Sequence, residues 1–300
     1  AGASHATEGL HYDADGRALA VNGVQGDLMD SDALNLFAKV GWTLGDTRRL
    51  QLTANRYTLE GDGDYVSVPG NPATGVTATS VRGDLPLDPP SNESTSLVLD
   101  YSDRELGGGL LQAQLFWVDF AARYGSSPWN NFYGDGLVWV DQSQNESEKI
   151  GAKASWSRGD LFGLPLRGTV GLDLQQDQTV QRLLASDLDW VPVTTYRSLS
   201  PFVQAEWSVT DALTLTGGLR HERGKLEVDD YVTLPVYGTQ FVEGGEPETS
   251  ETLPNLGLVW RATDALSFYA SYAEGYTVAD IGRVLRAINV PGRSVDELVD

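Results

Sequence analysis

Five times along this chain an alternating aliphatic run ends in an aromatic residue, and a short polar turn follows: at Trp42, Tyr101, Trp156, Trp207 and Trp260. The runs are Leu34-Leu36-Ala38-Val40, Leu97-Leu99, Ile150-Ala152-Ala154, Val203-Ala205 and Leu256-Leu258. Each aromatic keeps the parity of its run, so on a strand it points to the same face as the aliphatics. Subtracting their numbers puts the aromatics 59, 55, 51 and 53 residues apart. A row of Trp and Tyr at one end of an apolar band suits a membrane interface, where the ring sits in the apolar zone and its N–H or O–H stays wet. The pattern constrains the chain to antiparallel hairpins and points to a transmembrane β-barrel.

Alternation predicts about ten strands, near 32–44, 49–59, 94–101, 110–120, 147–157, 166–177, 198–208, 213–223, 252–261 and 266–275. The connections alternate between short (45–48, 102–109, 158–165, 209–212, 262–265) and long (60–93, 121–146, 178–197, 224–251), with flanking segments 1–31 and 276–300. Outer-membrane barrels have this asymmetry, with short periplasmic turns and long extracellular loops. The five aromatics all border short turns and would form a periplasmic girdle; Trp117 and Tyr272 are candidates for an outer one. The opposite face carries polar or charged residues, such as Asn35, Lys39, Gln51, Lys149, Lys153, Arg167 and Asp173, which suit a wet lumen. Arg56 and Glu274 share the parity of the aliphatics but stand at strand tops. A soluble sandwich or propeller also alternates, but strands of about ten residues exceed the usual five to six, and a period of 50–60 residues is a hairpin with its loop rather than a blade.

The net charge is -21 and repels nucleic acid phosphates, which disfavours that partner class. There is no Cys, hence no disulfide and no thiolate metal site. The mean hydropathy is -0.25, and no apolar run is long enough for a membrane helix. No signal-peptide pattern opens the chain at Ala1. His5, His11 and His221 lack metal-ligand spacing. The acidic turns Asp13–Gly16, Asp62–Asp64 and Asp229-Asp230 are accounted for by turn chemistry, and Arg17 occupies a position where a calcium loop needs a ligand. No nucleophile motif and no phosphate-binding loop is present, so catalytic residues, a cofactor and a protein-bound metal are not expected. Loop 121–146 holds Arg123, Tyr124, Trp129, Phe132, Tyr133 and Trp139, and an aromatic-rich loop above a pore suits a bulky amphipathic ligand. Tyr196, Arg197 and Arg220 are candidate lumen or rim groups for a ligand's negative charge.

The stretch 252–286 resembles the barrel of TonB-dependent siderophore receptors, most specifically in Tyr269-Ala-Ser-Tyr-Ala-Glu-Gly-Tyr276. So does 199–222, with Ser200-Pro-Phe-Val-Gln-Ala-Glu-Trp207 leading into Leu219-Arg-His-Glu222, and more loosely Ser31–Lys39. The resemblance implies an outer-membrane importer, energised through TonB, that binds a ferric siderophore on its extracellular loops and plug. Iron would enter only as the bound chelate, with a leaning to hydroxamate types. Plug and C-terminal strands are not recognisable here, and such receptors close with about 22 strands. Residues 1–300 are therefore expected to be a partial receptor barrel domain. The alternatives are a passive porin or adhesin-like barrel, or a soluble all-β glycan-binding module.

Overall fold

The computed structural model describes residues 1–21, 28–277, 281–286, 288 and 290–299. In chain order the strands are β1 (Gly2–Glu8), β2 (Ser31–Leu44), β3 (Arg48–Gly61), β4 (Tyr65–Val68), β5 (Thr79–Arg82), β6 (Ser91–Leu106), β7 (Gly109–Arg123), β8 (Ser127–Asn130), β9 (Val138–Asp141), β10 (Ser143–Arg158), β11 (Leu166–Leu183), β12 (Leu188–Thr210), β13 (Leu213–Val228), β14 (Tyr231–Val232), β15 (Phe241–Val242), β16 (Glu248–Thr263) and β17 (Leu266–Ala273). Two short helices follow, α1 (Ile281–Leu285) and α2 (Val295–Val299). Val278, Ala279 and Asp280 of the stretch 252–286 lie outside the described residues.

Eleven strands form one up-and-down antiparallel sheet in the order β1-β2-β3-β6-β7-β10-β11-β12-β13-β16-β17. The pairs β4/β5, β8/β9 and β14/β15 are small hairpins inside the long connections. The two edges of the large sheet, β1 and β17, do not pair with each other.

Two expectations are corrected. The flank 1–31 contains a wall strand, β1, in register with β2 from Gly2↔Phe37 to Glu8↔Ser31. The connection 178–197 is not a long loop: β11 and β12 run on as a ladder to Leu183↔Leu188, through a register shift near Gln181, and a four-residue turn joins them. Polar alternation ends where the strands leave the apolar band, but their backbone N–H and C=O groups still need partners, and the ladder supplies them.

The aliphatic face of the wall is uncovered. Leu115, Ile150 and Leu256 are 56%, 53% and 64% exposed, and Leu36, Val40, Val170, Val203 and Leu219 are exposed too. A soluble sandwich would bury that face against a second sheet; among the described residues the buried clusters lie at the loop end. On β12 the outward residues run Trp207, Ala205, Val203, Pro201, Leu199, and then Arg197. Eight rises from Trp207 to Leu199 make about 26 Å along the strand, which at a tilt of about 35° is a height of about 22 Å, near the roughly 25 Å apolar band of membrane barrels.

That tilt can be read from the register. One rung runs Leu44↔Arg48↔Asp103↔Leu111↔Trp156↔Val170↔Val203↔Leu219↔Pro254. Trp42 and Tyr101 stand two residues above it, toward the loops. Trp207 stands four below it and Trp260 six below. From Trp42 to Trp260 the aromatics thus descend eight residues over eight strand steps, about 26 Å against about 38 Å, which is a tilt of about 35°, as a closed barrel requires. Trp156 Nε1 donates to the Leu106 carbonyl at 2.8 Å, and Trp260 stacks on Phe268 with ring centroids 5.5 Å apart.

Candidate functional site

The inward face forms a polar trough of about 620 Å³ lined by Arg49, Gln51, Asp100, Gln114, Lys153, Asp173, Phe202 and Arg220, among others. Arg220 reaches from β13 across β12 to Asp173 on β11, Nη1 to Oδ2 at 2.8 Å, while its Nε donates to Glu222 at 2.9 Å. Two carboxylates therefore already neutralise the cation expected to meet a ligand's charge. Ser200, directly opposite Asp173 and 1% exposed, lies on the strand this bridge crosses. Asp100 accepts from the Gln114 amide at 2.8 Å and the Gln51 amide at 3.4 Å. Two inward rings rest on glycines of the neighbouring strand. Phe116 covers Gly151 and Phe202 covers Gly171, and a Cβ on either glycine would overlap the ring.

At the loop end, the hairpin β8/β9 sets Trp129 opposite Trp139. Its tip is ordered by Asn131, whose amide donates to the Leu137 carbonyl at 2.7 Å and whose side chain accepts from the Gly136 amide at 2.7 Å. Asp135 accepts from the Leu137 amide at 2.9 Å and from Trp139 Nε1 at 3.1 Å. The Leu137 amide, with the Trp139 indole behind it, holds the Asp135 carboxyl below the usual aspartate range. The rings form one edge-to-face ridge: Trp139 to Tyr133 at 4.9 Å, Tyr133 to Phe132 at 4.8 Å, Phe132 to Trp129 at 5.5 Å and Trp129 to Trp190 at 4.8 Å. Each such pair adds about 0.5–1.5 kcal/mol beyond its buried area. Phe132 is 2% exposed and packs with Leu183 and Leu234, whereas Tyr133 and Trp139 remain exposed. The Arg286 guanidinium caps the inner end, 5.4 Å from the Trp190 ring.

The base of the ridge is held by two adjacent buried residues. The Asp141 carboxylate accepts from the amides of Gln142 at 2.7 Å, Ala185 at 2.9 Å and Ser186 at 3.2 Å. Gln142 Nε2 donates to the carbonyls of Asp88 at 2.6 Å and Tyr124 at 2.7 Å. Together they tie three connections to one another.

Of the residues singled out from sequence, Trp129, Tyr133 and Trp139 come together in the ridge. Arg123 and Tyr124 stand at its foot as fasteners. Arg123 donates to the Pro89 carbonyl at 2.8 Å and meets Glu60 at 3.3 Å and Asp88 at 3.5 Å. The Tyr124 hydroxyl accepts from Asn145 at 3.2 Å. Tyr196 faces inward, but as packing for the cluster of Leu226, Val228, Val242, Leu285 and Val295. Arg197, its neighbour on the strand, faces outward and is bonded to Gln176 at 2.9 Å and to Glu227. The pair Tyr196-Arg197 thus splits between the two faces of β12, and Arg197 is not a lumen group. Sequence reasoning missed Trp190, Arg286, Asp141 and Gln142. The Trp in Asp189-Trp-Val-Pro192 was the available signal for the first, hidden because its strand read as a loop. Among the described residues, no group of three or more His, Asp or Glu is arranged to hold a metal ion. Asp13 instead accepts from the amides of Asp15 and Arg17, each at 2.9 Å, and from Arg17 Nε at 2.8 Å.

Comparison with known proteins gives a consistent picture. The family model described as "TonB dependent receptor-like, beta-barrel" matches residues 33–292. The ferric aerobactin receptor of Klebsiella pneumoniae is 23% identical over 302 residues, covering 91% of this chain and 41% of that protein. The rhizobactin receptor of Rhizobium meliloti (strain 1021) is 22% identical over 305 residues, covering 91% and 40%. The chain thus spans about two fifths of the length of these curated relatives. Among solved structures, the copper transporter OprC superposes with a TM-score of 0.59 at 16% identity, covering 90% of this chain and 39% of that one. The Serratia marcescens hemophore receptor HasR gives 0.60 at 17% identity, with the same coverage. At that identity these structures speak to the fold alone.

Proposed function

We propose a receptor function on one premise: the chain belongs to the TonB dependent receptor-like β-barrel family, whose barrels are outer-membrane proteins of Gram-negative bacteria. On our reading it is wall and loop structure of an outer-membrane receptor for a ferric siderophore, energised through TonB. A plug domain and further strands, outside these 300 residues, complete the barrel. The observation that carries the reading is the division of the sheet, with an exposed aliphatic face ending in a tilted row of aromatics and a polar, hydrogen-bonded face opposite. Two relatives named as receptors for aerobactin and rhizobactin support the substrate class. The aromatic ridge, with Tyr133 and Trp139 exposed, suits capture of a bulky amphipathic chelate by stacking.

The test is growth under iron limitation. A Gram-negative strain lacking its own siderophore receptors and carrying the full-length gene is fed a panel of ferric siderophores. Rescue by at least one chelate, lost when TonB is deleted, is expected. Rescue that persists without TonB would favour a passive pore, and no rescue by any chelate would refute the siderophore assignment.

A further inference from the structure

Four of the five connections at the girdle end are short and polar: Gly45–Thr47, Gly107-Gly108, Asp211-Ala212 and Asp264-Ala265. The fifth, 159–165, is longer and carries Leu161, Phe162 and Leu164. Phe162 is 90% exposed, and its backbone is left-handed at φ 59, next to Gly163 at φ 72 and near Asp160 at φ 53. A bulky aromatic in that region is a genuine outlier, and such strain persists where the surroundings impose it. The turn is well tied. The Leu164 amide donates to the Leu161 carbonyl at 3.0 Å, and the Ser208 amide donates to the Pro165 carbonyl at 3.0 Å. These hydrogen bonds hold the strained turn, and with it an apolar side chain in the open.

The position of the turn says what would cover it. Leu161 lies over Gly168 on the outward face of β11, so the turn continues the aliphatic band instead of hanging clear of it. It sits between Trp156, two residues before the end of β10, and Trp207, directly opposite Leu166. Leu164 is 47% exposed beside them. Apolar side chains held between two interfacial tryptophans, with Leu161 folded back over Gly168 above the Leu166–Trp207 rung, meet the boundary between headgroups and acyl chains. We propose that the Leu161–Leu164 turn is a lipid-inserted foot, in which Phe162 and Leu164 enter the phospholipid leaflet on the short-turn side while the other four turns stand in water. This rests on the membrane-barrel reading of the wall.

The chain's lack of Cys allows the test. Single nitroxide labels are placed in the full-length receptor, free of other cysteines, at Phe162→Cys, Leu164→Cys, Asp46→Cys, Asp211→Cys and Leu115→Cys. The labelled receptor is reconstituted in phosphatidylethanolamine–phosphatidylglycerol vesicles. Collision rates with oxygen and with a water-soluble nickel chelate are compared. The oxygen-to-nickel ratio is expected to be several-fold higher at 162 and 164 than at 46 and 211, and to approach that at 115. Ratios at 162 and 164 equal to those at 46 and 211, with 115 still oxygen-rich, would overturn the foot and leave the membrane wall standing; a periplasmic protein partner would give that result. A nickel-accessible label at 115 would overturn the wall and the foot together.

Discussion

At the residue scale, the loop end depends on a few buried polar groups. Asp141→Ala strands the amides of Ala185 and Ser186, and burying a donor without a partner costs about 1–3 kcal/mol. We expect a loss of about 2 kcal/mol in local stability, read as faster hydrogen exchange at 184–187 and through the ridge hairpin, with the wall strands unchanged. Equal exchange in variant and parent would remove Asp141 from that role. In the trough, Gly171→Val pushes the Phe202 ring off its seat, and overpacking of this kind costs about 1–3 kcal/mol; the check is a lower melting temperature in detergent than for Gly217→Val, where a Cβ meets nothing closer than 3.3 Å. A pH effect belongs here too. Burial first, and then the carboxylates of Asp32, Asp30 and Asp64, push the Asp62 carboxyl up from 3.8. A raised carboxyl holds its proton more tightly in the folded state. Stability therefore falls as pH rises through the interval between the usual and the raised value, and stays low above it. Asp62→Asn should slow exchange of the amides at 62–64 at neutral pH, with no difference from the parent below the usual aspartate value. A neutral-pH result identical to the parent would contradict this.

At the element scale, the strands show why some of this architecture is legible in sequence and some is not. Inside the apolar band, lipid-facing and lumen-facing residues alternate, so β2, β10 and β16 announce themselves by period-two patterns ending in Trp42, Trp156 and Trp260. Above the band both faces are wet and the pattern vanishes, though hydrogen bonding continues. This is why the tops of β11 and β12 read as loop, and why Arg197 and Tyr196 could not be assigned to opposite faces. β1, with Gly2-Ala-Ser-His-Ala-Thr-Glu8, has no aliphatic face to detect and is fixed only by its register with β2. Loop packing is long-range, so the aromatic content of 121–146 was visible but the seat of Trp129 on Trp190 was not. The ridge hairpin makes its own prediction. On the proposed receptor reading, Tyr133→Ala, which removes a half-exposed ring and its two edge-to-face contacts, should weaken siderophore binding about tenfold, and Trp129→Ala, which loses its contacts to Phe132 and Trp190, should weaken it while loosening the hairpin further. Fluorescence quenching titrations on the intact receptor check both, and unchanged affinity in Tyr133→Ala would reject a contact role for the exposed ring.

At the scale of the whole molecule, one geometric fact joins the parts. A girdle level in the membrane must cross tilted strands diagonally, and the aromatics step down the register by one residue per strand on average. With this tilt the apolar band has nearly a bilayer's height, while the up-and-down hairpins put the long connections on one side and the period-two alternation turns the polar residues inward. The most direct measurement is the labelling pattern along β10. Single nitroxide labels on cysteines at Lys149, Ile150, Ala152, Lys153, Ala154 and Ser155 of the full-length receptor, in vesicles, are compared for their collision rates with oxygen, which concentrates in lipid. A period-two pattern is predicted, with 150, 152 and 154 oxygen-rich and 149, 153 and 155, which face the plugged lumen, oxygen-poor. Collision rates at 149, 153 and 155 as high as at 150, 152 and 154 would contradict the account.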